Sequence, residues 1–319
     1  MRFVPKVYRA VPRPGRASAQ HGAARGEGRG GPRKAPAWLG GALAAGAFGV
    51  LVWLERRRPL RREVEPKPTR AARNMAVACF SALALRLLER PVTGPLTRLV
   101  ERRRVGLVKR AGLPPWAEAA AACLLLDYTL YLWHVLTHRA PPLWRAHVVH
   151  HADLDLDATT ALRFHFAELA ASVPWRAAQV LVIGVSPAAL SVWQTLLLVS
   201  ILFHHSNVRL PSGLERKLGR LVVTPRMHGI HHSTVEAEAN SNWSSGLTLW
   251  DRLHGTLRLN VGQEEIVIGV PAYRAPAEVA LGRMLGLPFV KQRPAWRLSE
   301  GGKPALHELP RAVPERLTA

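Results

Sequence analysis

Between Asp127 and His151 the chain reads DYTLYLWHVLTHRAPPLWRAHVVHH, placing five histidines in the spacings HxxxH and HxxHH. Residues three and four apart share one face of a helix, so His134 and His138 point one way, and so do His147, His150 and His151. The second spacing returns far downstream at His228, His231 and His232 in PRMHGIHH, and His204 and His205 stand between them in LFHHSNV. A single histidine beside an apolar segment is usually a satisfied core residue. Here ten of the chain's fourteen histidines fall in these groups, and beside a membrane each imidazole would need a polar partner of its own. Shared metal ions meet that need for all of them together. Eight or more imidazoles exceed what one ion takes, since structural zinc uses four ligands and catalytic zinc usually three. Two ions fit the count. Imidazole suits zinc, copper, iron and nickel alike, so ligand type leaves the metal open.

Apolar segments frame the histidines. Trp38 to Leu54 is a 17-residue apolar run, at the short limit for a membrane span. The stretch that follows, residues 55–73, carries eight basic residues and reads as a cytoplasmic loop by the positive-inside rule. A second run, 75–88, is shorter and interrupted by Arg86, and a third, 117–136, delivers His134 and His138 at its end. The long apolar region from Leu169 to Phe203 decides the architecture. Crossing once, it would put the two histidine regions on opposite sides of the membrane. An even number of crossings is therefore expected, as a hairpin of helices over 169–183 and 188–203 folded at Gly184 to Pro187.

The reading is all-α: an integral, multi-pass membrane protein whose cytosolic-side helical cap holds a dinuclear histidine metal site. Its domain spans residues 38–290. A disordered basic tail is expected over 1–37 and a mobile one over 291–319.

Charge supports a membrane setting. Residues 1–110 carry 25 Lys and Arg against 6 Asp and Glu, whereas residues 111–319 carry 19 against 16. The basic residues flank apolar segments and do not alternate with exposed aromatics, which favours anionic lipid over nucleic acid as their partner. The two cysteines, Cys79 and Cys123, both lie in apolar runs, which excludes a disulfide framework and leaves histidine to supply the ligands.

The motifs DYTLYLWHVLTHR, LWRAHVVHHADLDLDATTALRFHFAE, LFHHSNVRLP, TPRMHGIHHS and NSNWSSGLTLWDRLHGTL, in this order, resemble the fatty acid hydroxylase superfamily of membrane di-iron enzymes, which includes the sterol desaturases. The resemblance covers roughly residues 55–289. It implies metal ligation by His134, His138, His147, His150, His151, His228, His231 and His232, joined by His205 of the HSN motif and His165 of the RFH motif. Asn242 matches an NYG-like motif and is expected to hydrogen-bond a ligand or to coordinate through water. A metal-bound imidazole normally donates its other N–H to a carboxylate or carbonyl, which makes Asp127, Asp157, Glu168 and Asp251 candidate partners. The sequence departs from the family pattern at Phe166 (usually Pro), at Trp243 and Ser244 (Tyr-Gly), at Ala152 (Ser) and at His254 (Phe). These departures bear on pocket shape and hence on substrate. His254 lies outside any ligand spacing and reads as structural, and His204 as a neighbour of the site.

The resemblance implies an O2-dependent oxidoreductase that hydroxylates or desaturates a lipid with two iron ions. No flavin, haem or Rossmann signature appears, and no CxxCH is present, so a separate electron donor is implied, such as a ferredoxin, a cytochrome b5-like protein or a reductase. A di-zinc membrane hydrolase, or a degenerate member that keeps the metal site without the chemistry, is the alternative. A metal transporter fits less well, because the histidines gather at segment ends and not in mid-span.

Overall fold

The computed structural model describes residues 38–298 and 301–305. The basic tail expected over 1–37, and residues 306–319 of the C-terminal one, lie outside the described residues. The elements in order are α1 (Leu39–Arg57), α2 (Lys67–Ala84), a π-turn (Leu85–Glu89), α3 (Arg90–Arg103), α4 (Leu107–Arg110), α5 (Pro115–Arg139), α6 (Pro141–His151), α7 (Phe166–Gln179) with a second π-turn (Val180–Gly184), α8 (Pro187–His205), α9 (Ser212–Leu218), α10 (Pro225–His231), α11 (Glu236–Ala239), α12 (Leu249–Leu253) and α13 (Leu281–Gly286). Among the described residues β-structure is limited to three isolated bridges. The fold is all-helical.

Among the described residues five helical stretches are long and apolar enough to cross a bilayer: Leu39–Arg57, Lys67–Arg110, Pro115–Arg139, Phe166–Gly184 and Pro187–His205. At 1.5 Å per residue a 19-residue span such as α1 reaches about 28 Å, close to the thickness of a hydrocarbon core. The protein is an integral membrane protein.

The second span is much longer than the apolar run 75–88, and the reason is electrostatic. Arg70 and Arg73 end that run in the sequence. In the structure both are neutralised from outside the helix, Arg70 by Asp153 and Asp157 and Arg73 by Glu65. At the other end Glu89 is buried, with Arg176 Nε 3.9 Å from its Oε1. Helix therefore continues through residues that composition alone would assign to loops.

The hairpin is formed by α7 with its π-turn and by α8. Its tip lies against the α3–α4 turn, where Gly106 (φ 98°) and Gly184 (φ 89°) pack backbone to backbone and a Cβ on Gly106 would come within 2.3 Å of the Gly184 Cα. Only glycine meets both demands at once, positive φ and the close approach. A core of Val100, Val108, Leu126, Val180, Ile183 and Trp193 fills this end of the bundle.

The opposite end carries the histidines. Here the α8 terminus is tied to α1 through Asn207, whose N–H donates to Glu55 Oε1 (2.9 Å), while its side chain exchanges bonds with the backbone of Arg61. A cap of short helices covers this end, held by clusters around Leu156, Ile230 and Ile268 and around Val148, Tyr273 and Met284. The segment 291–298, expected to begin a mobile tail, is packed onto the cap. Arg293 N donates to the Tyr273 hydroxyl (2.9 Å), and Trp296 lies 5.3 Å from the Trp144 ring. Aromatic anchors supply the apolar contact that its charge-rich composition did not suggest.

Candidate metal centre

Local chain geometry brings the two upstream spacings together. Helix α5 ends at Arg139, and Pro141 at the first turn of α6 forces the preceding Ala140 into an extended conformation (φ −94°, ψ 113°), so α6 folds back on α5. His134 and His138 then meet His147, His150 and His151. The downstream histidines lie on α10, whose start is fixed by Pro225 and by a Thr224 side chain that accepts from Met227 N. His205 comes from the last turn of α8.

Nine imidazoles form two groups, each with candidate ligand atoms within 4.8 Å of one another: His134, His138, His147, His151 and His231 in the first, His150, His205, His228 and His232 in the second. Neighbouring rings across the groups stand edge-on, stacked or tilted, with His151 and His232 centroids 4.3 Å apart. Eight of the nine are buried, and neither group contains a carboxylate.

In the first group a recurrent arrangement fixes the tautomer. The Nδ1 of His134 donates to the Trp243 carbonyl (2.7 Å), that of His231 to the Ser241 carbonyl (2.9 Å), and that of His147 to Glu168 Oε1 (2.9 Å). A carbonyl only accepts, so each Nδ1 carries the proton and each Nε2 is left with a bare lone pair. The Nε2 atoms of His147 and His231 have no partner, nor does either ring nitrogen of His138 or His151. In the second group His205 Nδ1 donates to the Ile201 carbonyl, so its Nε2 is bare. That one nitrogen has two neighbours, His150 Nε2 at 3.1 Å and His228 Nε2 at 3.0 Å, and His232 Nε2 lies 3.1 Å from His228 Nε2. One in-plane lone pair does not serve two donors. Two ligands at right angles on an ion, each at about 2.1 Å, are separated by about 3 Å, which is the spacing observed.

The orphaned nitrogens decide between packing and metal binding. Four rings of the first group, His138, His147, His151 and His231, each bury a nitrogen that could ligate and has no hydrogen-bond partner. At about 1–3 kcal/mol each, their cost would be on the order of several kcal/mol, a large share of the whole stability of a typical domain. Burial first, and the neighbouring imidazoles second, hold His150, His151, His228, His231 and His232 well below the ordinary histidine range. The rings are therefore neutral at pH 7, which is the ligating form. The donor set fits metal ions.

Other expected residues fall elsewhere. His165 belongs to neither group: its Nδ1 accepts from Ala167 N as the N-cap of α7, and its Nε2 faces the Leu285 carbonyl at 3.2 Å. Asp127 accepts from Leu247 N and Trp250 Nε1, and Asp157 pairs with Arg70 and Lys67, so neither holds an imidazole. Asn242 sits at positive φ (52°) and bonds the backbone of Met227 and Arg258. It shapes the loop whose carbonyls receive His134 and His231. Asp251 caps the same loop through Trp243 N and Ser244 N. Of the four carboxylate candidates only Glu168 reaches a histidine of the groups. His204 is buried with its ring 4.1 Å from His228 but is absent from both groups. His254 stacks on Tyr131 at 5.0 Å, an aromatic packing role. The acceptor carbonyls of Trp243, Ser241 and Ile201 carry no side-chain signal and escape sequence reading altogether.

Fold and site together define a helical membrane protein with five candidate spans among the described residues and two polyhistidine groups at one end of its bundle. Residues 119–256 match the fatty acid hydroxylase family. This match and the relatives that follow support a place in the fatty acid hydroxylase and sterol desaturase superfamily. It is 33% identical over 140 residues to an ornithine lipid hydroxylase of Rhizobium tropici, covering 44% of this chain and 41% of the relative. It is 26% identical to the Homo sapiens alkylglycerol monooxygenase, over 49% of this chain and 33% of that protein, and 30% identical to the Mus musculus cholesterol 25-hydroxylase, over 43% and 45%. The chain thus spans less than half the length of each of these three relatives. No solved structure matches it.

Proposed function

We propose that this protein is an O2-dependent lipid hydroxylase. In this reading the first histidine group holds one iron ion and the second holds another, and bound iron supplies O2 activation. The observation that carries the reading is the pair of buried histidine groups, in which Nδ1 bonds to carbonyls and to Glu168 leave the Nε2 atoms of His134, His147, His231 and His205 bare. The relatives are named as hydroxylases and monooxygenases acting on three different lipids, which favours oxygen insertion over desaturation.

This chain's own residues contribute orientation and dryness. Phe164 stacks on His150 at 4.3 Å, and Trp144 stands 5.0 Å from His138 and 5.6 Å from His151, so aromatic rings keep water from the histidines. Electrons come from a separate donor protein, because the chain carries no cofactor-binding signature of its own. The histidine end faces the cytoplasm, as the basic loop over residues 55–73 favours.

The test supplies purified protein with iron, an electron-transfer system and a membrane lipid extract, and follows products under 18O2 and under argon. Label in a new lipid product supports hydroxylation. O2 consumption with an unlabelled product would instead indicate desaturation, and turnover with zinc but without O2 would indicate a hydrolase.

A further inference from the structure

Beside the histidines the cap is cut by a cleft of about 870 Å³ with a one-sided charge. Arg139, Arg216, Arg220, Arg226 and Arg252 line it, and the one carboxylate in the lining is Glu215. That carboxylate is already engaged, with Arg226 Nε 2.7 Å from its Oε2. Arg252 donates to the Gly219 carbonyl (3.1 Å), and Arg139 lies over the Trp243 ring at 5.5 Å, but neither contact neutralises a guanidinium. Arg216 and Arg220 are exposed, and among the described residues neither forms an ion pair. So many converging cations with so little acid call for an anionic ligand, and guanidinium forks match a phosphate.

The cleft also has a floor and a rim. Ser241 and Trp243 line it, and their carbonyls are the acceptors for His231 and His134. An occupant is therefore separated from the histidines by one residue. At the rim, Leu221, Leu249 and Leu253 flank Arg220 and Arg252 and are 67%, 48% and 66% exposed. Helix α12, which bears two of these leucines, packs Trp250 against Tyr128 at 4.8 Å, well inside the third span. Leu249 and Leu253 thus sit on a short helix packed against a candidate membrane-spanning helix, with Arg252 between them. Apolar side chains in the acyl region and cations at the phosphate level are the arrangement of a lipid-headgroup site. A soluble acidic protein would meet exposed leucines at the same rim.

We propose that this cleft is a headgroup subsite, which holds the phosphate of an anionic glycerophospholipid beside the metal centre. The proposal rests on the lipid-oxidising reading above and names the class of substrate. Its test reads binding without turnover. The full chain in detergent, stripped of lipid, is offered equimolar phosphatidylglycerol and phosphatidylcholine, and the retained lipid is counted by native mass spectrometry.

The wild type is expected to favour phosphatidylglycerol for the first lipid bound by about tenfold or more, on the scale of a few interfacial cations. The triple variant Arg216→Gln/Arg220→Gln/Arg252→Gln is expected to lose that preference while keeping the wild-type metal content, which shows that it is folded. The matching Arg→Lys triple should retain most of it, and Arg102→Gln/Arg103→Gln, remote from the cleft, should leave it unchanged. No preference in the wild type, or one that survives the Gln triple or vanishes in the remote variant, overturns the proposal. So does competition by glycerol 3-phosphate as strong as by the intact lipid, which would mark a free-anion site. Unchanged lipid binding with slowed reduction by an acidic donor protein would overturn it in favour of a docking face. If phosphatidylglycerol binds as expected but no lipid is oxidised, the hydroxylase reading fails and the headgroup site stands.

Discussion

Glu168 Oε1 lies 2.9 Å from Nδ1 of His147, and both side chains are buried. Among the described residues it is the one carboxylate seen to bond directly to either histidine group, and it orients the ring while raising its basicity. Glu168→Gln preserves the shape and an acceptor oxygen but removes the charge. Metal affinity should fall by about 10- to 100-fold, the usual effect of losing such a partner. Competition with a chelator of known affinity measures it, and an unchanged affinity would deny Glu168 this role.

A second prediction concerns the ion-pair group that clasps α2 to the chain just after His151. Arg70 Nη1 lies 2.9 Å from Asp153 Oδ2, and its other terminal nitrogen bonds Asp157. Arg70 is 1% exposed and Asp153 0%, so removing one partner strands a buried charge. Arg70→Met should cost about 3–5 kcal/mol, the range for breaking a buried pair. The check is a thermal-unfolding scan in detergent, with little change in midpoint as the contrary result.

The glycine contact at the far end of the bundle separates fold from site. Gly106→Ala places a Cβ 2.3 Å from the Gly184 Cα at a positive φ, whereas at Gly112 (φ 65°) an added Cβ meets nothing within 4 Å. Gly106→Ala should therefore destabilise the bundle more than Gly112→Ala, which bears only the backbone strain of about 1 kcal/mol or somewhat more. Unfolding midpoints of the two variants, each with its metal content, distinguish the effects. Folded Gly106→Ala protein should retain normal metal content.

The histidines themselves were legible because HxxxH and HxxHH have helical periodicity, so nine residues named from spacing and family likeness converge in space. His165 was named on the same likeness and lies outside both groups, since a histidine that caps a helix and one that binds a metal look alike in sequence. The limits of the second span were not legible, because Arg70, Arg73 and Glu89 find their partners 80 or more residues away or across a turn. Asp127 and Asp157 were plausible imidazole partners by residue type, but tertiary contacts commit them to Trp250 and Arg70. The carbonyls that orient His134, His231 and His205 belong to the backbone and have no sequence signature.

That distinction gives a further prediction. His165→Ala should keep the full metal complement, because both ring nitrogens of His165 serve the α7 cap and the Leu285 carbonyl. Its cost should fall on stability instead, at about 1 kcal/mol for a lost cap. Metal loss matching that of His231→Ala would return His165 to the ligand set.

The central claim is that the two histidine groups are two separate metal sites. The most direct measurement is metal content per chain, by inductively coupled plasma mass spectrometry, on purified wild type, His138→Ala and His228→Ala. The two variants remove one member from each group. The account predicts about two ions in the wild type and about one in each variant, with the other group still loaded. One ion in the wild type, or two retained in both variants, would contradict it.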